Sequence, residues 1–266
     1  MRYLTSACAL ALLAACGGGG GGSEPLVDDT IYVSLLVGES TETSALRSFG
    51  VEGTGGSETL ERETDRITVG GLAGDLSEDR LSVSLDEGGV VTLHFDGTVY
   101  VARFDAEPLT EDPFYGVIGQ QTHRASVPSS GSASYSGADN VRLEIVDGGD
   151  FYDALGSGTF LVDFAGDRVS LTISEVDGTR TSGLEEEAVA GILVIEIEDA
   201  VLSGATFSGG DASFSASTLE NALSGAEMTD LSGALFGPDA AEIGGVLTID
   251  DTSSGAVRVR AVYVGN

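Results

Sequence analysis

The chain contains few side chains that could carry out chemistry. It has only two histidines, His94 and His123, and two cysteines, Cys8 and Cys16, in 266 residues. Histidine acts as a general base or metal ligand near neutral pH, and a cysteine thiolate acts as a nucleophile or metal ligand. These residues do not have the spacing of a metal site, and no Gly-x-Ser-x-Gly elbow falls at a strand-to-helix turn. The sequence therefore predicts neither an enzyme nor a metal site.

The N-terminal residues have the pattern of a secreted, lipid-anchored protein. Arg2 precedes a short apolar run, residues 7–15, which is typical of a signal peptide and too short to span a bilayer. The Leu-Ala-Ala-Cys sequence that ends at Cys16 resembles a bacterial lipobox. This resemblance implies that residues 1–15 are a lipoprotein signal peptide and that Cys16 carries a lipid thioether.

A glycine-rich segment follows the predicted lipid anchor. Six glycines come directly after Cys16, so residues 16–26 are predicted to be a flexible tether. Glycine rather than aspartate follows the cysteine, and the lipobox resemblance then favours the outer membrane. Cys8 would leave with the signal peptide and Cys16 would carry lipid, so we expect no disulfide in the folded part.

The charge of the chain is strongly acidic. There are 43 aspartates and glutamates against 12 basic residues, all arginine, giving a formal net charge of −31. Such a surface repels nucleic acid and anionic lipid and attracts cationic partners. Because the acids are spread along the chain, solubility in a salty habitat is an equally simple explanation.

The elements that must position these residues are predicted to be β-strands. Apolar residues alternate with polar ones, which is the pattern of half-buried strands. Leu81, Val83 and Leu85 form one stripe, and Val91, Leu93 and Phe95 form the next. With an Asp96-Gly97 turn and a return through residues 99–104, residues 81–104 are predicted to be a three-stranded meander. We therefore expect an all-β protein.

A polar segment divides the predicted strands into two groups. Residues 124–134 are small and polar and include Pro128, which predicts a boundary between an N-terminal β-domain, residues 27–124, and a C-terminal one, residues 130–266. The second group has strands at short intervals, as in an antiparallel barrel. The last strand, residues 256–264, is expected to pair with the first barrel strand and so to remove an exposed edge.

One stretch near the C-terminus departs from the strand pattern. Residues 233–245 read GALFGPDAAEIGG. Pro238 suits the first turn of a helix, and Asp239 and Glu242 add favourable charge near its N-terminus. Gly244 and Gly245 are expected to end the turn. We predict a single helical turn that covers the mouth of the barrel.

This stretch resembles part of the transferrin-binding-protein-B-like family of surface lipoproteins. The residues that match its motif are Phe236, Gly237, Pro238, Ala241, Glu242, Gly244 and Gly245. Residues 131–137 resemble the first barrel strand of the family, and residues 156–173 resemble its central hairpin. The ending VRVRAVYVGN departs from the family, because it lacks a small-Phe-Gly sequence.

The resemblance implies a fold and a role. The fold would be a small β-rich handle-like domain followed by an eight-stranded antiparallel barrel. The role would be the binding of a solute or protein ligand in iron or haem acquisition, together with an outer-membrane receptor. The alternative is an adhesin-like or shielding lipoprotein without small-molecule cargo.

Six residues are candidates for ligand binding. Some relatives carry haem, which implies His94 or His123 as a possible iron ligand, with Tyr100 and Phe104 near His94. The alternative places His94 on an exposed strand and His123 in a solvated connector. Phe114, Tyr115, Phe151 and Tyr152 are predicted to lie in loops, where they would either anchor a partner or cover the core.

Overall fold

The computed structural model describes residues 27–37, 58–59, 66–69, 72–77, 81–98, 100–109, 114–216, 219, 223–251 and 257–266. The predicted signal peptide, the predicted lipidation site Cys16 and the predicted tether lie outside these ranges. Within the described ranges, no helix is both long enough and apolar enough to cross a membrane.

The described residues form eighteen β-strands and three short 3-10 turns, in agreement with the all-β prediction. The turns are Arg124–Ser126, Leu223–Gly225 and Pro238–Ala240. The strands are β1 (Val27–Val37), β2 (Glu58–Thr59), β3 (Arg66–Val69), β4 (Leu72–Leu76), β5 (Ser82–Leu85), β6 (Gly89–His94), β7 (Val101–Pro108), β8 (Phe114–Thr122), β9 (Ser132–Asp147), β10 (Asp150–Asp163), β11 (Arg168–Ser182), β12 (Glu185–Val189), β13 (Leu193–Ser203), β14 (Thr206–Ser208), β15 (Asp211–Ala216), β16 (Ala226–Phe236), β17 (Glu242–Asp251) and β18 (Val257–Gly265).

Strands β1 to β8 form an antiparallel N-terminal sheet in the order β2-β1-β8-β7-β6-β5-β4-β3. The predicted meander is present as β5, β6 and β7. The predicted two-residue turn at Asp96-Gly97 is wrong, because β6 ends at His94 and β7 begins only at Val101. Leu81 and Phe95, which were placed on buried stripes, lie just outside the strands and are 49 % and 38 % exposed.

The strands from β9 onward form a closed, eight-stranded antiparallel barrel. Neighbouring strands pair in chain order, and the fifth strand is divided into β14 and β15 at Gly209-Gly210. The last strand pairs with the first from Val257↔Asp147 to Tyr263↔Val141, which confirms the prediction that the C-terminal strand closes the barrel. Strand β12 pairs with the far end of β11 and extends the wall beyond the barrel.

The barrel interior is filled by alternate residues of its strands. Tyr263 and Phe160 lie in this core with ring centroids 4.9 Å apart, and both are fully buried. Val257, Val259 and Ala261 also belong to this core, so alternate residues of the last strand point into the barrel.

A second apolar cluster joins the outside of the barrel to the N-terminal sheet. Its members are Val101, Tyr115 and Val117 from the sheet and Ala234, Phe236, Val246, Val262 and Val264 from the barrel. Strands β17 and β18 are therefore buried on both faces, which explains why their sequences are nearly continuous in apolar residues.

The short helical turn is present between β16 and β17, but its predicted end is wrong. Pro238–Ala240 form a 3-10 turn in which Asp239 and Ala240 have positive φ angles of 56° and 59°. Strand β17 begins at Glu242, so Gly244 and Gly245 lie inside the strand and do not end the turn. Ala240 is buried in the barrel core, and its carbonyl accepts a hydrogen bond from the Tyr135 hydroxyl at 2.6 Å.

Candidate functional site

The motif residues around Pro238 attach the barrel to the N-terminal sheet. Glu242 is 4 % exposed, and its Oε2 accepts hydrogen bonds from the backbone N–H groups of Tyr100, at 2.7 Å, and Val101, at 3.0 Å. The Gly237 N–H donates to the Gln120 carbonyl at 2.9 Å. The prediction that Glu242 adds charge near a helix N-terminus is therefore wrong. Its side chain instead connects the barrel to the start of β7 in the N-terminal sheet.

The glycines of the motif allow tyrosine side chains to approach the backbone closely. Gly237 has φ 73°, and a Cβ at this position would overlap the ring of Tyr100. A Cβ on Gly245 would meet the Tyr263 hydroxyl at 2.5 Å, in the wall between β16 and β18. Phe236 pairs with Gln121 of β8, so the end of β16 joins the N-terminal sheet directly.

A chain of ion pairs crosses the same interface. His94, at the end of β6, lies with its Nε2 2.9 Å from an Asp105 carboxylate oxygen. The other oxygen of Asp105 accepts a hydrogen bond from Arg142 of β9. Arg142 also lies 3.3 Å from Glu144 and 3.6 Å from Asp153. One barrel arginine thus connects carboxylates of both sheets.

Tyr115 lies beneath this arginine. The Arg142 guanidinium carbon is 5.3 Å from the centroid of the Tyr115 ring, a cation–π distance. Within the described residues, the Tyr115 hydroxyl is buried close to the Glu144 carboxylate but has no hydrogen bond of good geometry, and Nε of Arg260 is a second buried atom without a partner. Burial raises the pKa of Tyr115 well above its ordinary value, and the nearby Glu144 carboxylate adds to this shift.

The surroundings of Glu144 also raise its pKa. Burial raises its pKa, because the charged form loses hydration, while the positive charge of Arg142 partly offsets this effect. Its side chain is 16 % exposed. A carboxylate with this environment takes up a proton at a higher pH than an exposed glutamate does.

A cleft of about 440 Å³ opens beside the ion-pair chain, where the N-terminal sheet meets strands β9 to β11. It is lined by His94, Arg103, Asp105, Arg142, Asp153, Ala154, Leu155, Asp177 and Gly178. Most of these side chains are charged. The cleft therefore offers charged and hydrogen-bonding groups, and apolar atoms make up the larger part of its lining surface.

The two histidines have different surroundings. The side chain of His94 is 40 % exposed and faces the cleft, whereas His123 follows β8 and accepts a hydrogen bond from the Ala125 N–H through Nδ1 at 3.1 Å. The expected aromatic neighbours of His94 are absent from the cleft lining. Phe104 is opposite Leu93 and is 1 % exposed, and Tyr100 contacts the barrel motif.

The four candidate aromatic residues lie in strands, so their predicted placement in loops is wrong. Phe114 and Tyr115 begin β8, and Phe151 and Tyr152 begin β10. Tyr115 and Tyr152 are 4 % and 2 % exposed, whereas Phe151 is 38 % exposed on the outer face of β10. The side chain of Phe114 lies outside the described part of the structure.

Sequence reasoning missed the residues that form the cleft and the interface. Arg142, Glu144 and Asp153 are ordinary outward-facing positions of β9 and β10, and Asp105 is one acid among many. Their alternation with apolar residues places them on one face of a strand, but it does not identify the sheet opposite. Among the described residues, no group of histidine, cysteine, aspartate and glutamate has the arrangement of a metal site.

Sequence comparison finds one matching family. The model for the C-lobe and N-lobe β-barrels of Tf-binding protein B matches residues 127–265. These residues include all the barrel strands, from β9 to β18. No curated protein sequence matches the chain.

Solved structures with the same fold are transferrin-binding proteins B. A mutant of the protein from Haemophilus parasuis Hp5 has 17 % identity and a TM-score of 0.58, and the match covers 89 % of this chain and 44 % of that one. Intact Ap-TbpB has 16 % identity and a TM-score of 0.58, with 92 % and 47 % covered. The isotype 1 protein of serogroup B Neisseria meningitidis has 17 % identity and a TM-score of 0.52, with 89 % and 44 % covered. The chain thus spans less than half the length of each of these structures, and the likeness concerns the fold.

Proposed function

The chain belongs to the family of C-lobe and N-lobe β-barrels of transferrin-binding protein B, and from this premise we propose that it binds a solute or protein ligand in iron or haem acquisition. The observation that carries the proposal is the shared architecture, a barrel whose outer wall is packed against a β-sheet, over 89 % to 92 % of the chain. The activity is binding and display, without a catalysed reaction.

We further propose that the protein is displayed on the outer membrane. Residues 1–15 would be the signal peptide, and lipid, including palmitate, on Cys16 would hold the protein in the membrane. Residues 16–26 would form the tether, residues 27–124 the handle-like domain and residues 130–266 the barrel domain. An outer-membrane receptor would then take over the iron or haem.

The nature of the ligand separates two versions of this proposal. A haem carrier would use His94, which is half-exposed beside the cleft, or His123 as an iron ligand. A protein binder would use the exposed surface, including Phe151.

The experiment uses residues 23–266, purified without the lipid anchor. Iron-loaded transferrin, haemoglobin and lactoferrin are passed over the immobilised protein, and haem is titrated by visible absorption. Saturable binding of an iron protein supports the protein-ligand version. A sharpened Soret band that weakens in His94→Ala or His123→Ala supports the haem version.

Failure of both assays would contradict a role in iron or haem acquisition. An adhesin-like or shielding lipoprotein without small-molecule cargo would then be the better account. The partly exposed Phe151 on the outer wall is the observation that favours this second candidate. Its test is binding to host cells or matrix proteins that is lost in Phe151→Ser.

A further inference from the structure

The outer face of β10 carries apolar and acidic side chains in alternation beside the cleft. Phe151, Asp153 and Leu155 lie at two-residue intervals and point outward, with exposed fractions of 38 %, 57 % and 42 %. Side chains at this interval on a strand are about 7 Å apart, which is also the repeat of an extended peptide laid along it. Leu155 pairs with Asp177 of β11, so a second carboxylate lies next to the same row.

The cations near this row are already engaged. Arg103 forms an ion pair with Asp96 at 2.6 Å, and Arg142 pairs with Asp105 and Glu144. These arginines therefore leave little positive charge to offer a ligand. An acidic ligand would have to displace existing ion pairs, which carries an energetic penalty.

The carboxylates at the rim retain hydrogen-bonding capacity. Asp153 reaches Arg142 only at 3.6 Å, and Asp177 accepts the Gly191 N–H through one oxygen at 2.7 Å. A carboxylate has two oxygens and about four acceptor sites. Both groups can therefore accept further hydrogen bonds from a cation placed between them and the apolar rim.

The floor of the cleft is closely packed where Gly178 lies. Gly178 faces Asp153 and Ala154 across the β10–β11 pair, and a Cβ at this position would overlap the Ala154 backbone and side chain. Gly178 thus brings β10 and β11 close together, and the cleft of about 440 Å³ beside Leu155 is the space that a long side chain of a partner can enter. Arginine and lysine fit such a site because the aliphatic stem packs on apolar surface while the charged end reaches a carboxylate.

We propose that Phe151, Asp153, Leu155 and Asp177 form a docking face for an extended segment of a protein partner in which arginine or lysine lies between apolar side chains. This inference rests on the proposed function as a binder of protein ligands, and it specifies the chemistry of the ligand segment. The formal net charge of −31 disfavours a second copy of the chain or an anionic lipid surface as the occupant.

The probe is a fluorescein-labelled peptide of twelve residues with leucine, arginine and phenylalanine at alternate central positions. Matched peptides carry glutamine or glutamate in place of the arginine. Fluorescence anisotropy is measured with the wild-type protein at low and high sodium chloride. We expect saturable binding of the arginine peptide alone, and weaker binding at high salt because the charges are screened.

Variants of the face locate the site. Asp153→Asn and Asp177→Asn together should weaken binding about three- to tenfold, as expected for the loss of partly exposed ion pairs. Leu155→Ser should weaken it by a similar factor. The matched controls are Glu196→Gln on β13 and Leu161→Ser further along β10, which remove an exposed charge and an exposed leucine elsewhere on the wall.

Three outcomes would overturn the docking face: equal binding of the three peptides, no binding of the arginine peptide at millimolar concentration, or equal effects of site and control variants. Sedimentation that shows a dimer dispersed by Leu155→Ser would assign the face to self-association instead. If transferrin binds and the site variants leave its affinity unchanged, the docking-face proposal is wrong and the proposed function is retained. If the peptide binds at this face and neither an iron protein nor haem binds, the proposed function is wrong and the docking-face proposal is retained.

Discussion

The Glu242 carboxylate accepts a hydrogen bond from the backbone N–H of Tyr100 at 2.7 Å, and thereby joins a barrel strand to the segment that leads into β7. The same oxygen accepts the Val101 N–H at 3.0 Å. Glu242→Ala would leave two N–H groups without their acceptor, at a cost of about 1–3 kcal/mol for each buried group. We expect the free energy of unfolding to fall by about 2–5 kcal/mol, measured by urea denaturation. Glu242→Gln keeps one acceptor oxygen and should cost less, and an equal loss in both variants would contradict the role of the carboxylate oxygen.

Gly237→Ala tests the close approach of the turn to Tyr100. Gly237 combines φ 73° with ψ −176°, a conformation almost restricted to glycine, and its missing Cβ makes room for the Tyr100 ring. We expect a loss of more than about 2 kcal/mol in the free energy of unfolding. Gly183→Ala is the matched control, because Gly183 has φ 63° with open space around it and should lose only about 1 kcal/mol. Equal losses would show that the contact with Tyr100 adds nothing.

Tyr115→Phe tests the buried hydroxyl beneath Arg142. Within the described residues this hydroxyl has no hydrogen bond of good geometry, so its removal relieves a desolvation penalty and leaves the ring under the guanidinium. We expect the free energy of unfolding to rise by about 1 kcal/mol. Tyr135→Phe should have the opposite sign, because the Tyr135 hydroxyl donates to the buried Ala240 carbonyl. A loss of stability in Tyr115→Phe would show that the hydroxyl has a partner.

Glu144→Gln tests the raised pKa of the interface carboxylate. Because burial raises the folded-state pKa above the unfolded value, the folded protein retains a proton that the unfolded chain releases between the two values. The free energy of unfolding of the wild type therefore falls as pH rises through this window. Glu144→Gln should remove this component, so the variant gains stability relative to wild type as pH rises, and the difference becomes constant above the folded pKa. A difference in stability between Glu144→Gln and wild type that stays constant with pH would contradict the raised pKa of Glu144.

Cys16→Ser tests the proposed lipid anchor. Acyl chains contribute about 0.8 kcal/mol per buried methylene, and more than one chain gives stable anchoring. We expect Cys16→Ser to abolish labelling by radioactive palmitate and to move the protein from the membrane to the soluble fraction. Cys8→Ser, within the predicted signal peptide, should leave both properties unchanged. Retention of Cys16→Ser in the membrane would exclude the lipid anchor.

The sequence predicts the barrel well because its strands have a regular period. Val257, Val259 and Ala261 alternate with polar or outward residues, and the structure places all three in the core. The motif that begins at Phe236 also identifies the family. Alternation of this kind requires only one buried face, so it can be read from the chain without knowledge of what lies opposite.

The interface between the barrel and the N-terminal sheet could not be predicted from such a pattern. Glu242 binds backbone N–H groups of Tyr100 and Val101, and a backbone donor has no signature in the sequence. Phe151 and Tyr152 follow Gly148-Gly149 and were assigned to a loop, but the glycines occupy only the turn and β10 begins at Asp150. The cleft depends on which outer face of the barrel meets the sheet, and this is decided by packing between distant strands.

The position of the first strand determines how force would pass through the molecule. Val27, at the start of β1, lies opposite Thr122, at the end of β8, so the proposed N-terminal tether and the connection to the barrel leave the sheet at the same end. A pull between the membrane and a ligand held by the barrel would therefore act across this corner and would not stretch the N-terminal sheet along its length. The hydrogen bond from Thr122 to the Gly237 carbonyl, at 2.8 Å, connects this corner to the turn between β16 and β17. If the proposed tether holds the protein in the membrane, the segment around Pro238 would therefore transmit mechanical load between the N-terminal sheet and the barrel.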